Sequence, residues 1–268
     1  MPKIIFGENT KEFHAFYEAA QTLAPGAWQL LQDLLGSWKP FALSHEWIMP
    51  DGFEVKIKTM SKKDTRIEVD ELDHATFTYE YYVNEGTQFG LANCANVTHS
   101  IDGYIVRSMQ RRCNYDSHMI TFAREIILAE LVERYVEKRT VLTTIDDEST
   151  KYYKSYSING IADIVVLPYL NEDNVKSMRT NYLSKLLDII TNMLAYKPFD
   201  LVTIHDSFGS SPNNVNWVRF QYKEILADLA ESTILDDLLS QLYGVSGSFD
   251  KLSKDVPKHI RNSNYSLT

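Results

Sequence analysis

The sequence predicts an α+β fold, mostly helical, with one β-hairpin or small antiparallel sheet. Two observations predict it. Apolar residues recur at helical spacing over 11–35, 119–139, 175–196 and 216–243. Residues 46–83 instead alternate, and they are rich in β-branched and aromatic side chains. With 268 residues, of which 44% are hydrophobic, the chain suits one large domain or two smaller ones and can bury a sizeable core.

The elements follow in order. Phe13, Phe16, Tyr17, Ala20 and Leu23, then Trp28, Leu30, Leu31, Leu34 and Leu35, form the first helical stretch. Pro25-Gly26 breaks it or divides it in two, and Gly36 and Pro40 stop it. Residues 45–48 read as a short strand entering the turn Pro50-Asp51-Gly52, where proline presets φ and glycine is permissive. Residues 54–58 alternate with strand period, Asp64 marks a polar tip, and 66–69 and 76–83 return to strand-like composition. Residues 90–109 predict a helix with small and polar residues on one face, and 119–139 a strongly amphipathic one. Residues 140–172 are mixed, with short strands expected at 152–156 and 161–167. The next helix, 175–196, is closed by Lys197-Pro198. A long helix is expected over 216–243, and a polar, loop-like tail after Gly244. There is no internal repeat.

The formal net charge of −9 argues against a stand-alone nucleic-acid binder, because phosphate neutralisation dominates such binding. It leaves room for one whose basic residues are local or whose partner chain is basic. Three local sets exist: Lys56, Lys58, Lys62, Lys63 and Arg66; Arg107, Arg111 and Arg112; Lys251, Lys254, Lys258 and Arg261. Each alone is equally a solvated face. No run of about 18 apolar residues occurs, so no membrane span is expected. The first residues are too short and too soon acidic for a signal peptide. Cys94 and Cys113 show no metal-ligand spacing, and no HExxH or CxxC is present. The expectation is a reduced, cytoplasmic protein without zinc.

Residues 202–204 run into His205-Asp206-Ser207-Phe208-Gly209. This reads as a short buried strand delivering a carboxylate to a turn. Such an Asp is costly unless it caps a backbone, pairs with a cation or binds a metal. Its simplest role is turn capping. A strand-end Asp also suits one oxygen ligand of a magnesium ion, and nucleotidyl transfer uses two such ions.

Three segments bear on that choice. His99-Ser100-Ile101-Asp102-Gly103 resembles the His-Ser-x-Asp-Gly segment of the single-subunit RNA polymerases of phages and mitochondria. In that family the same chain later presents His-Asp-Ser-Phe-Gly at the palm turn with a catalytic aspartate, as 205–209 do here. The stretch from His45 to Val55, with Trp47 and Pro50-Asp51-Gly52-Phe53, resembles the segment leading into the fingers hairpin. The helix after the catalytic turn is similar over 215–243. The likeness covers about 45–112 and 199–243. Ser207 stands where related DNA polymerases carry Glu, which favours the RNA polymerase branch and leaves a DNA-polymerase fragment as the weaker reading.

The resemblance implies a right-hand polymerase fragment. Residues 1–98 would be partial fingers with a hairpin at about 53–83. Residues 99–112 and 197–268 would be partial palm, and 113–196 an insertion. Asp206 would ligate both catalytic Mg2+ ions, and His205 would help place the transcript end. His99 would lie near the minor groove of the template–product helix, and Arg107 and Arg111 would contact phosphate. Lys62 and Lys63 would lie on a hairpin that meets nucleic acid. The family also needs a second catalytic Asp and an Arg-x-x-x-Lys…Tyr-Gly helix for the incoming nucleotide, both before the hairpin. Residues 1–44 contain no Arg-x-x-x-Lys and no Tyr-Gly. The expectation is therefore one subunit of a split, two-chain DNA-dependent RNA polymerase, inactive alone. Its partner chain would supply the missing Asp, Lys and Tyr, and the pair would act on a DNA template, an RNA transcript and nucleoside triphosphates in a host cytoplasm. The alternative is a non-catalytic accessory or interaction subunit that keeps the polymerase fold.

Overall fold

The computed structural model describes residues 5, 7, 10–138, 146–204, 207–248, 251 and 253–264. The chain is mostly helical with small antiparallel sheets, as the periodicity predicts. Helices are α1 Lys11–Leu23, α2 Pro25–Gly36, α3 Ala92–Cys113, α4 Ser117–Glu137, α5 Glu148–Asn159, α6 Thr180–Leu194, α7 Val215–Glu231, α8 Ile234–Tyr243 and α9 Val256–Asn262. Strands β1 Ser44–Ile48 and β2 Glu54–Lys58 pair, as do β3 Met60–Val69 with β4 Ala75–Asn84 and β5 Val202–Ile204 with β6 Ser207–Gly209. The chain divides into two compact units. One is Met1–Glu46, Lys56–Val97 and Leu242–Gly244; the other is Trp47–Val55, Thr98–Gln241 and Val245–Thr268. No helix among the described residues is long and apolar enough to cross a membrane.

In the first unit, Thr10 caps α1 by accepting a hydrogen bond from the Phe13 N–H at 3.2 Å. Pro25 opens α2, so the sequence break at Pro25-Gly26 is a division into two helices. A polar knot lies beneath. The Asn93 amide donates to Ser37 Oγ at 3.1 Å and sits 3.3 Å from His45 Nδ1. Trp38 packs its ring 4.2 Å from the His45 ring. Burial, helped by Lys39, holds the His45 pKa below its ordinary value, so the ring stays neutral near pH 7. Gly90 permits this packing, because an added Cβ would lie 2.5 Å from the Trp38 indole.

The β3–β4 hairpin turns at 70–74, not at Asp64. Asp64 lies mid-strand opposite Glu80. Residues 70–72 form a 3-10 turn, and Asp73 and His74 adopt left-handed φ of 52° and 60°. Directly opposed residues share a face. One face carries Ser61, Val83, Lys63, Tyr81, Thr65, Tyr79, Ile67 and Phe77. The other carries Lys62, Tyr82, Asp64, Glu80, Arg66 and Thr78.

In the second unit, Asp116 caps α4 through the His118 N–H at 2.8 Å. The core gathers Ile120 and Ile127 of α4, Tyr156 of α5, Val166 and Leu167, and Leu183, Leu186, Ile190 and Met193 of α6. Residues 152–156 are helical, not a strand. Asp147 and Thr150 form a capping box, and Tyr152 and Tyr156, four apart, turn onto one buried face. Residues 164–169 are a 3-10 segment rather than a strand. The expected helix 216–243 divides where Ser232 adopts an extended backbone, and its Oγ accepts from the Ile234 N–H at 3.3 Å. The tail after Gly244 is not wholly loop, since it forms α9. The strand 202–204 is exposed rather than buried; among the described residues it pairs only with three-residue β6.

Arg134 holds this unit from within. Its guanidinium donates to Glu130 at 2.7 Å, to the Met178 carbonyl at 2.8 Å and to the Val175 carbonyl at 2.9 Å. It thereby anchors the short 3-10 turn Asn174–Ser177 to α4. Removing one partner of a buried pair strands the other charge. Arg134→Leu is expected to destabilise the protein by about 3–5 kcal/mol in urea unfolding, with Glu130→Gln/Arg134→Met recovering part of the loss.

Candidate functional site

Three of the sequence segments meet on α3 within the second unit. The first contact is at Trp47, whose Nε1–H donates to Ser100 Oγ at 3.1 Å with both residues buried. The second is at the Pro-Asp-Gly turn. Gly52 N–H donates to the Met49 carbonyl at 2.8 Å, and φ of 77° at Gly52 closes the turn. That closure aims Asp51, its side chain 2% exposed, at α3. Asp51 accepts from Arg107 at 2.6 and 3.0 Å and from Arg111 at 3.1 Å. Arg107 also lies 4.2 Å above the Phe53 ring. On α8, Gln241 grips the Ile48 peptide, accepting from its N–H at 2.7 Å and donating to its carbonyl at 3.1 Å.

Arg111 reaches a second carboxylate, donating to Asp163 at 3.0 Å. Asp163 also accepts from Ser108 Oγ at 3.0 Å and from the Val165 N–H at 2.9 Å, which caps the 3-10 segment. Burial alone would raise the Asp163 pKa. The Arg111 charge and the Val165 hydrogen bond outweigh it and hold the carboxyl below the usual range. Arg107 and Arg111, expected as phosphate contacts, thus have carboxylate partners within the chain.

The opposite stripe of α3 is open. His99, Asp102, Gly103 and Val106 follow at i, i+3, i+4 and i+7 and line a cavity of about 500 Å³. Phe208 of β6 and Tyr222 of α7 complete it, their rings 5.5 Å apart. The cavity therefore joins the His-Ser-x-Asp-Gly segment to the His-Asp-Ser-Phe-Gly segment about 100 residues later. His205 and Asp206 themselves lie outside the described residues.

Lys62 and Lys63 stand on opposite faces of β3 in the first unit. Lys62 pairs with Glu80 at 2.7 Å and Lys63 with Glu85 at 2.6 Å. Both lie at the far end of the strands from the 70–74 turn, so the hairpin tip is acidic rather than basic. At that tip, Glu68, Asp70 and His74 form the one described cluster offering three donor atoms to a metal ion within 4.8 Å of one another. His74 Nδ1 lies 2.9 Å from Glu68 and 3.3 Å from Asp70, and all three side chains are exposed. No motif marks this cluster in the sequence; the left-handed backbone at His74 creates it. Asp163 is likewise silent in the sequence, while Asp51 is visible only as a turn residue.

The chain matches no protein-family model, and no curated protein matches it.

Asp163 supplies a pH signature. Its folded pKa is depressed, so its stabilisation is present above the unfolded carboxylate pKa of about 3.9 and is lost as pH falls through the lower folded value. Asp163→Asn is expected to cost about 3 kcal/mol or more at pH 7. In urea titrations across pH, the gap from the parent protein should narrow once pH drops below about 4.

Proposed function

We propose that this chain is one subunit of a two-chain, DNA-dependent RNA polymerase and supplies the palm turn with Asp206. One observation carries the reading: the cavity on α3 gathers His99, Asp102 and Gly103 with Phe208, two residues past Asp206. In this reading the cavity receives the minor-groove side of the template–product helix near the transcript end. His99 and Asp102 offer polar groups to sugar hydroxyls, a physical route for telling RNA from DNA. Phe208 and Tyr222 give the apolar wall. His205 orders the turn and Asp206 supplies a metal ligand.

Magnesium takes oxygen ligands, and the Asp206 carboxylate is of that type. The exposed Glu68, Asp70 and His74 set includes an imidazole nitrogen, which suits magnesium poorly, so the catalytic ion is not assigned there. When bound, divalent cations stabilise the attacking and leaving oxygens of the displacement. The second catalytic Asp and the nucleotide-binding Lys and Tyr come from the partner chain, with DNA template, RNA transcript and nucleoside triphosphates as the other participants. The host cytoplasm is the place of action.

A second reading is an accessory subunit without catalysis. The pairing of Arg107 and Arg111 with Asp51 and Asp163 favours it, since neither guanidinium stands free for phosphate. The two readings separate by assay of the two-chain complex. Extension of a primed template with ribonucleotides should require Mg2+. Asp206→Asn should leave the unfolding midpoint and co-purification with the partner unchanged while extension falls to background. Normal elongation by the complex carrying Asp206→Asn sinks the catalytic reading. Preference for deoxynucleotides would point to a DNA polymerase fragment instead.

A further inference from the structure

We propose that a second cavity, framed by α6, α7 and the end of α3, binds a small neutral molecule through a carboxamide or lactam group read by Arg112, Gln221 and Asp228. It is separate from the His99 cavity and goes beyond the polymerase reading. Its volume is about 230 Å³. A single water needs roughly 10–15 Å³ on the same measure, so a ligand of several heavy atoms fits.

The outer wall is already satisfied. Arg261 of α9 donates to Glu224 at 3.0 Å, to Asp228 at 3.3 Å and to Glu231. Lys185 donates to the Gly160 carbonyl at 3.2 Å. The floor is satisfied only in part. Arg112 is 4% exposed and makes only long contacts, 3.4 Å to Gln221 Oε1 and 3.5 Å to Asp228. Gln221 is 1% exposed, and its Nε2 has no hydrogen-bond partner. The guanidinium fixes the orientation of this amide, because Oε1 can accept from Arg112 and Nε2 cannot. A buried donor without an acceptor costs free energy, and a bound oxygen would recover it.

Charge selects the ligand class. Arg112, Lys185 and Arg261 line the cavity together with Asp188, Glu224, Asp228 and Glu231. An anion would satisfy the floor donors but meet four carboxylates. A cation would meet three positive groups and leave the floor donors bare. A neutral C(=O)–N–H group places its oxygen on Arg112 and Gln221 and its N–H on Asp228. Asp228 offers the acceptor, its carboxylate 3.5 Å from Arg112 and 3.3 Å from Arg261.

Acetamide, acetate and methylammonium, similar in size but different in charge and hydrogen-bonding sense, test this on the full chain. The readout is the side-chain amide resonance of Gln221, identified by its loss in Gln221→Leu. Acetamide should shift it saturably, with acetate and methylammonium at least tenfold weaker. Gln221→Leu should weaken acetamide binding at least tenfold by saturation-transfer measurement. If that variant fails to fold, Gln221→Glu keeps the shape without the donor and carries the same expectation. No saturable shift, acetate binding as tightly as acetamide, or unchanged acetamide binding in the variant overturns the proposal.

Discussion

The second unit depends on one carboxylate, Asp51. It is buried, so it must be compensated, and it meets two guanidinium groups on successive turns of α3. Arg107 binds it through two donors, a geometry that fixes direction as well as distance. Arg111 extends the same network to Asp163 and thus to the start of a 3-10 segment. The network sets the rotation of α3 about its axis. Tyr104, Ser108 and Arg111, at i, i+4 and i+7, turn inward toward Asp163. The His99, Asp102, Gly103 and Val106 stripe is then left to line the cavity. A helix with polar residues on both stripes has no strong apolar moment to orient it, so ion pairs take that role.

Helical periodicity made most of the architecture legible. The failures have separate physical causes. Residues 152–156 look strand-like because three tyrosines fall in five positions, yet the capping box at Asp147 and Thr150 was the stronger local signal. The sequence points to Asp64 as the hairpin tip because the true turn holds no glycine; Asp73 and His74 take left-handed backbone instead. Residues 202–204 looked buried because they are apolar, but the described chain puts no third strand beside them. The site was legible only in part. Asp51 was visible as a turn residue, while its arginine partners lie 56 and 60 residues away. Asp163 has no local pattern at all, since its role exists only once α3 is in place.

Several cations of this acidic chain are paired within the fold. Lys62, Lys63, Arg107, Arg111, Arg112, Arg134 and Arg261 each face a carboxylate of the same chain. The exposed pairs on β3 contribute little stability. The effect of such pairing is on the field: the Arg107, Arg111 and Arg112 set and the Lys62–Lys63 pair, basic in sequence, are locally neutral in the fold. At those two places, attraction for a polyanion comes from another chain or from breaking an internal pair.

The cross-strand register of the β3–β4 hairpin also constrains how the sequence can change. Because faces alternate with period two, a single residue inserted in one strand would move every later side chain of that strand to the other side. Ile67, Thr65 and Lys63 would then no longer share a surface with Phe77, Tyr79 and Tyr81. Matched additions, one residue to each strand at the 70–74 end, would lengthen the arm and leave the existing surfaces intact. The hairpin can therefore vary in reach far more readily than in the chemistry it presents, and an odd insertion would survive only as a bulge.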